Sequence, residues 1–338
     1  MSLALFITGT LVMGVIFVNG WTDAPNAIAT AISTRVMGMR HAIIMAAILN
    51  FFGALAMTLV NAEVAETISK MVVFEGGSSK PQIALAASFF AIVVWAVGAW
   101  YFGIPTSESH ALIAGITGSA IAMGGLSSVN MAEWSKVLVG LFISSVFGFG
   151  GGYGIAKLIQ IIASSFNRKK ANRFFATGQA GAAGAMAFLH GAQDGQKFMG
   201  VFMLVLFYNH LAERTAEGGF IIPIWVITVC SLVMGVGTSI GGARIIKTVG
   251  LDMVKMETYQ GFSADMSASL CLLGASLFGI PLSTTHTKTT AIMGVGAAQR
   301  MSSVDWHIVR DMFLAWVLTF PGCGAISYLM TKLFVRIF

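Results

Sequence analysis

The sequence predicts an all-α, polytopic transmembrane protein made of two inverted-topology repeats, with broken helices and re-entrant-type hairpins at the bilayer midplane. Three observations carry this. Of 338 residues, 56% are hydrophobic and only 10% charged, with a mean hydropathy of +0.82; a soluble domain carries about 25% charged residues. Apolar runs recur that reach the length of about 20 residues needed to span a bilayer. One polar, proline-broken phrase is also written twice, as FGIPTSESH at 102–110 and FGIPLSTTH at 278–286. The alternating segments of about 10 residues that mark a transmembrane barrel are absent from the sequence.

Taken in order, the first apolar run covers 3–18 and continues to about 34. No Lys or Arg precedes Arg35, so the basic n-region of a cleaved signal is missing and a retained span is expected. Further spans are expected at 41–60, 82–101, 110–125 and 136–163. Residues 61–80, with Glu63, Glu66 and Glu75, read as an external amphipathic helix or a plain loop. The strongly basic segment SFNRKKANR at 165–173 then divides the chain almost in half. Beyond it, spans are expected at 177–209, 220–240, 258–279, 286–299 and 305–334. The expected units are a first repeat over 1–164, a linker over 165–176 and a second repeat over 177–338. Cys230, Cys271 and Cys323 all lie in apolar runs and read as packing residues, not as a disulfide framework.

Duplication follows from two anchors in the same order. NGWTDAPN at 19–26 aligns with HGAQDGQK at 190–197, which sets Asp23 against Asp194 at an offset of 171; the FGIP phrases align at an offset of 176. With the linker in the cytoplasm, alternating spans place eleven basic residues inside: Arg35, Arg40, Arg168, Lys169, Lys170, Arg173, Arg244, Lys247, Lys255, Arg300 and Arg310. Six fall outside, and both termini with them: Lys70, Lys80, Lys136, Arg214, Lys332 and Arg336. That asymmetry is the positive-inside pattern. Five spans per half is an odd number, so the halves lie upside down to one another, as in secondary transporters. The net charge of +6 is spread over membrane loops, and no basic face of a soluble domain offers itself to nucleic acid.

An Asp at mid-membrane costs roughly 2.5–3.5 kcal/mol on insertion scales, so such a residue is normally kept for a reason. Asp23 and Asp194 are each expected at a break in a helix, the first with Pro25 and Gly20 and the second with Gly191 and Gly195. In the FGIP phrases, Gly and Pro end one helix and the hydroxyls after Pro cap the next. A helix N-terminus with free N–H groups is an anion site. Ser107 and Ser109 in one half, and Ser283, Thr284 and Thr285 in the other, therefore point at a tetrahedral oxyanion. These hydroxyls could also serve only as caps. The acids could be structural partners of Lys197 and Lys288. His110 and His286 read as packing or hydrogen-bonding residues before metal ligands. A Ser/His nucleophile finds no third group to orient a base, so no enzyme is expected. The glycine-rich FGFGGGYG at 147–154 reads as a close-packing face, not as a phosphate loop.

At these residues the sequence resembles the inorganic phosphate transporter (PiT) family, of the bacterial low-affinity permease type. That family carries a G-A-N-D-x-x-N signature in both inverted halves and a P-x-S-T-T-H phrase. Gly20, Asp23 and Asn26 keep the first signature, and Gly191, Ala192 and Asp194 part of the second. Pro281 to His286 matches the phrase fully, and Pro105 to His110 matches except at Glu108 and Ser109. The resemblance covers nearly the whole chain. It implies import of inorganic phosphate across the cell membrane by a sodium- or proton-driven symporter that forms a homodimer, with no cofactor. The family's site residues carry over to Asp23, Asn26, Asp194, Ser107, Ser283, Thr284 and Thr285.

Three departures matter. Lys197 stands where the family has Asn, Lys288 adds a second cation, and Glu108 adds an acid. Lys197 and Ser109 therefore join the expected phosphate contacts, while Asp23, Asp194 and Glu108 are expected to couple the cation, with no metal beyond sodium. Fixed ammonium groups are expected to replace at least one sodium and move coupling towards protons. Sulfate is the competing substrate. Phosphate at neutral pH keeps a hydroxyl proton that a carboxylate can accept, whereas sulfate has none and is repelled. An anion channel would need weak binding at several sites along a pore, and two copies converging on one centre suit alternating access better.

Overall fold

The computed structural model describes residues 3–74 and 80–338. Thirteen α-helices run along the described residues: α1 (Leu3–Thr22), α2 (Pro25–Ser33), α3 (Met39–Val60), α4 (Glu63–Lys70), α5 (Lys80–Tyr101), α6 (Glu108–Gly124) and α7 (Met131–Ile162), then α8 (Arg168–Tyr208), α9 (Ile224–Ile240), α10 (Ala243–Ile246), α11 (Thr258–Leu277), α12 (Thr284–Gln299) and α13 (Trp306–Ile337). A π-helical stretch over 247–252 prolongs α10. Two isolated bridges, Val72 with Val129 and Val254 with Val304, are the β pairing among these residues.

Six helical stretches among the described residues are long and apolar enough to cross a membrane, or seven if α9 and α10, bent by 65°, form one span. α8, α11 and α12 are not among them. They carry Asp194 and Lys197, Asp265, and Lys288, all fully buried, so these polar side chains face inwards.

Helix α8 sets the frame. Its 41 residues span about 60 Å, with Arg168 beside Glu257 at one end and the Tyr208 hydroxyl accepting the Phe74 N–H at the other. At the Arg168 end the chain before α11 meets the chain after α12 through Val254 with Val304, and the start of α11 meets the end of α12 through Gln260 with Gln299. The chain before α5 meets the chain after α6 at the Tyr208 end, through Val72 with Val129. α5 and α11 run right across, and the chain then turns back to start α6 and α12 in the middle. Each turn is tied down by the opposite wall. The Tyr101 and Gly103 carbonyls accept from Arg244 and Thr248, and the Leu277 and Gly279 carbonyls from Asn61 and Thr67. Gly103 and Gly279 have φ of +69° and +65°, a left-handed turn that explains glycine at the second place of both FGIP phrases.

The N-caps repeat as the phrases do. Asn130 of α7 and Asp305 of α13 each accept two backbone N–H groups, and Ser107 and Ser283 each accept one. α12 lies deep against α7, where glycines allow near contact of backbones. A Cβ on Gly152 would fall 2.3 Å from the Ala291 carbonyl, and one on Gly294 2.1 Å from that of Phe149. The close-packing reading of 147–154 thus holds.

Two expectations need adjustment, the break at Asp194 and the extent of the basic linker. The break expected at Asp194 does not occur: α8 passes through 190–197 without interruption. Gly191 and Gly195 instead give room for α3, since a Cβ there would lie 2.1 Å from the Asn50 carbonyl and 2.5 Å from Ala54. No proline stands near them to remove a donor. At Asp23 the expected break does occur, between the end of α1 at Thr22 and the start of α2 at Pro25, though it is brief and the Asp23 N–H still reaches the Asn19 carbonyl at 2.9 Å. Pro25 there opens α2 at its first turn, and Gly20 serves packing against Met234. Of the basic linker, Arg168 to Arg173 form the first turns of α8, capped by Asn167. In 61–80, residues Glu63–Lys70 are helical with Val64 and Ile68 buried; Glu75 lies outside the described residues.

Candidate functional site

The site lies where α1 passes into α2, at the middle of α8, and at the starts of α6 and α12. The two returning helices meet cap to cap. The Ser107 Oγ accepts the His110 N–H at 3.3 Å, and the Ser283 Oγ accepts the His286 N–H at 3.1 Å. The Ser283 hydroxyl donates to the Ser107 Oγ at 2.9 Å, so two helix N-termini face each other across one pair of hydroxyls. Their partial positive charges converge there.

Two carboxylates line this junction. Asp23 receives the Thr285 hydroxyl at 2.5 Å, the Asn26 amide at 2.7 Å and the Thr284 hydroxyl at 3.4 Å. The Thr284 hydroxyl also lies 3.2 Å from Asp194, bridging the two acids. Asp194 receives the Asn19 amide at 3.2 Å, the Ser109 hydroxyl at 3.4 Å and the Lys197 ammonium at 2.6 Å. Lys197 further donates to the Ser109 Oγ at 2.7 Å and to the Leu282 carbonyl. One turn of α8 carries both Asp194 and Lys197, at i and i+3. Nine expected site residues thus come together: Asp23, Asn26, Ser107, Ser109, Asp194, Lys197, Ser283, Thr284 and Thr285. None is more than 3% exposed. Glu108, the tenth, sits in the first turn of α6 and accepts the Thr22 hydroxyl at 2.8 Å, one residue before Asp23.

His110 and His286 stand just behind the caps. Their rings are 4.4 Å apart, with His286 stacked on Trp316 at 3.7 Å and His110 beside Phe320 at 4.6 Å. That is the packing role expected. Trp316 also donates to the Pro105 carbonyl at 3.1 Å, which fixes the first phrase to α13.

Sequence reasoning missed three contributors to the junction and one buried acid beyond it. Asn19 and Thr22 are neutral residues in an apolar run and gave no signal. His190 appeared only as an aligned letter, yet its Nε2 lies 3.4 Å from Asp194. Its Nδ1 faces the Asn50 Oδ1 at 3.1 Å, and the Asn50 amide nitrogen is engaged by Thr238, so Nδ1 is the donor. Nε2 is left facing the Asp194 carboxylate. Asp23, His190 and Asp194 offer ligand atoms within 4.8 Å of one another and could hold a metal ion. Asp265 was the fourth miss. It is an acid in the run 258–279, and the cost argument applied to Asp23 should have found it. It pairs with Lys288, fully buried. So Lys288 has its own partner, away from Asp23 and Asp194.

Chemically, the junction offers converging N-termini, five hydroxyls, an ammonium and two carboxylates in a buried centre. The donors suit an oxyanion, and the carboxylates accept a proton or a cation. Among the described residues of this junction, Ser107 and Ser283 meet the backbone N–H and not the imidazole of His110 and His286.

Residues 19–327 match the family described as the phosphate transporter family. A Bacillus subtilis (strain 168) protein named a probable low-affinity inorganic phosphate transporter is 37% identical over 320 residues, covering 94% of each chain. A Rhizobium meliloti (strain 1021) protein of the same name is 38% identical over 319 residues, covering 93% of this chain and 91% of its own. Among solved structures, one titled the sodium-dependent phosphate transporter superposes with a TM-score of 0.90 over all of both chains, at 22% identity. At that identity the likeness establishes the fold.

Proposed function

The chain belongs to the phosphate transporter family, whose members are membrane transporters and not enzymes, and we propose that it is a secondary active symporter importing inorganic phosphate. The single observation that carries this is the cap-to-cap meeting of α6 and α12 between two buried carboxylates. Phosphate lies there against Ser107, Ser109, Ser283, Thr284, Thr285, Asn26 and Lys197, and its hydroxyl proton is accepted by Asp23 or Asp194.

The two halves act as inverted repeats. Support comes from hairpins that enter from opposite ends of α8, and from left-handed Gly103 and Gly279 in matching places. Burial supports alternating access: none of the nine residues is more than 3% exposed, so on this reading a solute reaches them when one wall moves. The end holding Arg168, Lys169, Lys255 and Arg300 faces the cytoplasm, because it collects the basic residues. The protein works in the membrane as a homodimer, as the resemblance implies.

Coupling is carried by Asp23 and Asp194, with Glu108 behind them. Lys197 already neutralises Asp194, as a sodium ion would, which moves coupling towards protons. Purified protein in liposomes tests the whole reading. Labelled phosphate uptake is expected to follow a proton gradient, to persist when choline replaces sodium, and to be blocked by arsenate well before sulfate. Strict sodium dependence overturns the coupling; block by sulfate alone overturns the substrate; ohmic, non-saturating flux overturns the symporter in favour of a channel.

A further inference from the structure

The Lys288 ammonium is held by three kinds of oxygen. It donates to the Asp265 carboxylate of α11, to the Thr30 hydroxyl of α2 at 3.0 Å and to the Ala27 carbonyl of α2 at 3.4 Å. Thr30 itself donates to Asp265 at 2.7 Å. Thr30, Asp265 and Lys288 are fully buried, and the second oxygen of Asp265 has no hydrogen-bond partner. Ion pairing alone would need only the carboxylate. A hydroxyl, a main-chain carbonyl near a helix interruption and a carboxylate are the hard oxygen donors that bind sodium in broken-helix sites.

The same three donors surround the other buried lysine. Lys197 takes the Asp194 carboxylate, the Ser109 hydroxyl and the Leu282 carbonyl. Ala27 follows Pro25 by two residues and Leu282 follows Pro281 directly. Two independent clusters therefore share one donor set, each completed by a lysine.

From this geometry we infer that α2, α11 and α12 form a second monovalent-cation site, distinct from the junction of the two caps, which Lys288 fills with its own ammonium. The charge is the same as that of a sodium ion, and the four-carbon stem fixes it to α12. Removing the stem opens the site to a free ion. Lys288 lies one turn beyond Thr284 and Thr285, which hold Asp23, so α12 grips the break before α2 at one level and α2 itself at the next.

The test reads thermal stability of the purified full chain without phosphate, so its outcome is separable from that of the phosphate reading. Lys288→Ala, and Lys288→Asn as a second opening variant, are compared with the parent in sodium chloride and in choline chloride. Sodium is expected to raise the melting temperature of either opening variant by about 2–5 °C more than that of the parent, the size given by an ion at ten to a hundred times its dissociation constant. Lys288→Met, which refills the space with an apolar chain, and the double variant Lys288→Ala with Asp265→Asn are expected to lose the extra response. An opening variant that folds only in sodium supports the site equally. Equal responses in parent and opening variants overturn it. So does failure of both opening variants to fold in either salt, because sodium should then have satisfied Asp265.

Discussion

Lys197→Met is expected to abolish phosphate uptake and to destabilise the folded protein by about 3–5 kcal/mol, the cost of leaving a buried charge without its partner. The charge concerned is Asp194, whose Oδ1 lies 2.6 Å from the ammonium with both side chains fully buried. Methionine matches the stem in length but gives nothing to Asp194, Ser109 or Leu282. Arginine is no rescue, because a planar fork cannot replace a compact ammonium among three converging oxygens. The companion variant separates structure from function. Removing both partners of a buried pair is often close to neutral for stability, so Lys197→Met with Asp194→Asn should melt near the parent. Its uptake should remain lost. If the double variant transports normally, the pair is only a structural tie, and the phosphate contact assigned to Lys197 falls.

Asp23→Asn is expected to weaken phosphate by about 10–150-fold, the range for losing one hydrogen bond to a charged group in a desolvated site. The amide keeps the shape and can still accept from Thr285, so the fold should survive. It loses the negative charge, and with it the repulsion of a fully ionised oxyanion. Sulfate should therefore compete better against the variant than against the parent. The readout is inhibition of labelled phosphate uptake over a sulfate series. A variant that binds phosphate less well yet excludes sulfate as before would show that discrimination comes from elsewhere.

How much of this was legible beforehand depends on the kind of signal. The doubled FGIP phrase was legible because its residues have local duties. Gly103 and Gly279 need a left-handed turn, and Ser107 and Ser283 cap helices, so the same words were required twice. The meeting of those words was inferred from the duplication, and the 2.9 Å contact of the two serines bears it out. Asp194 was found by its cost but placed wrongly at a break. Glycine in α8 has two possible meanings, backbone freedom and close approach, and only the neighbouring helix α3 decides between them. The partner of Lys288 could not be read from spacing, since Asp265 lies 23 positions away on another helix. Lys197 was recognisable as a departure from the family's asparagine. That it would land on a hydroxyl and a carbonyl as well as on Asp194 depended on the return of the chain after Pro281.

The most direct measurement is the equilibrium affinity of purified protein for phosphate, in the parent and with Ser107→Ala and Ser283→Ala made separately. If one solute is cradled where the two returning helices touch, either change should weaken binding by roughly 5–150-fold, one donor's share of ~1–3 kcal/mol. Unaltered affinity in both would mean that the anion is held somewhere else.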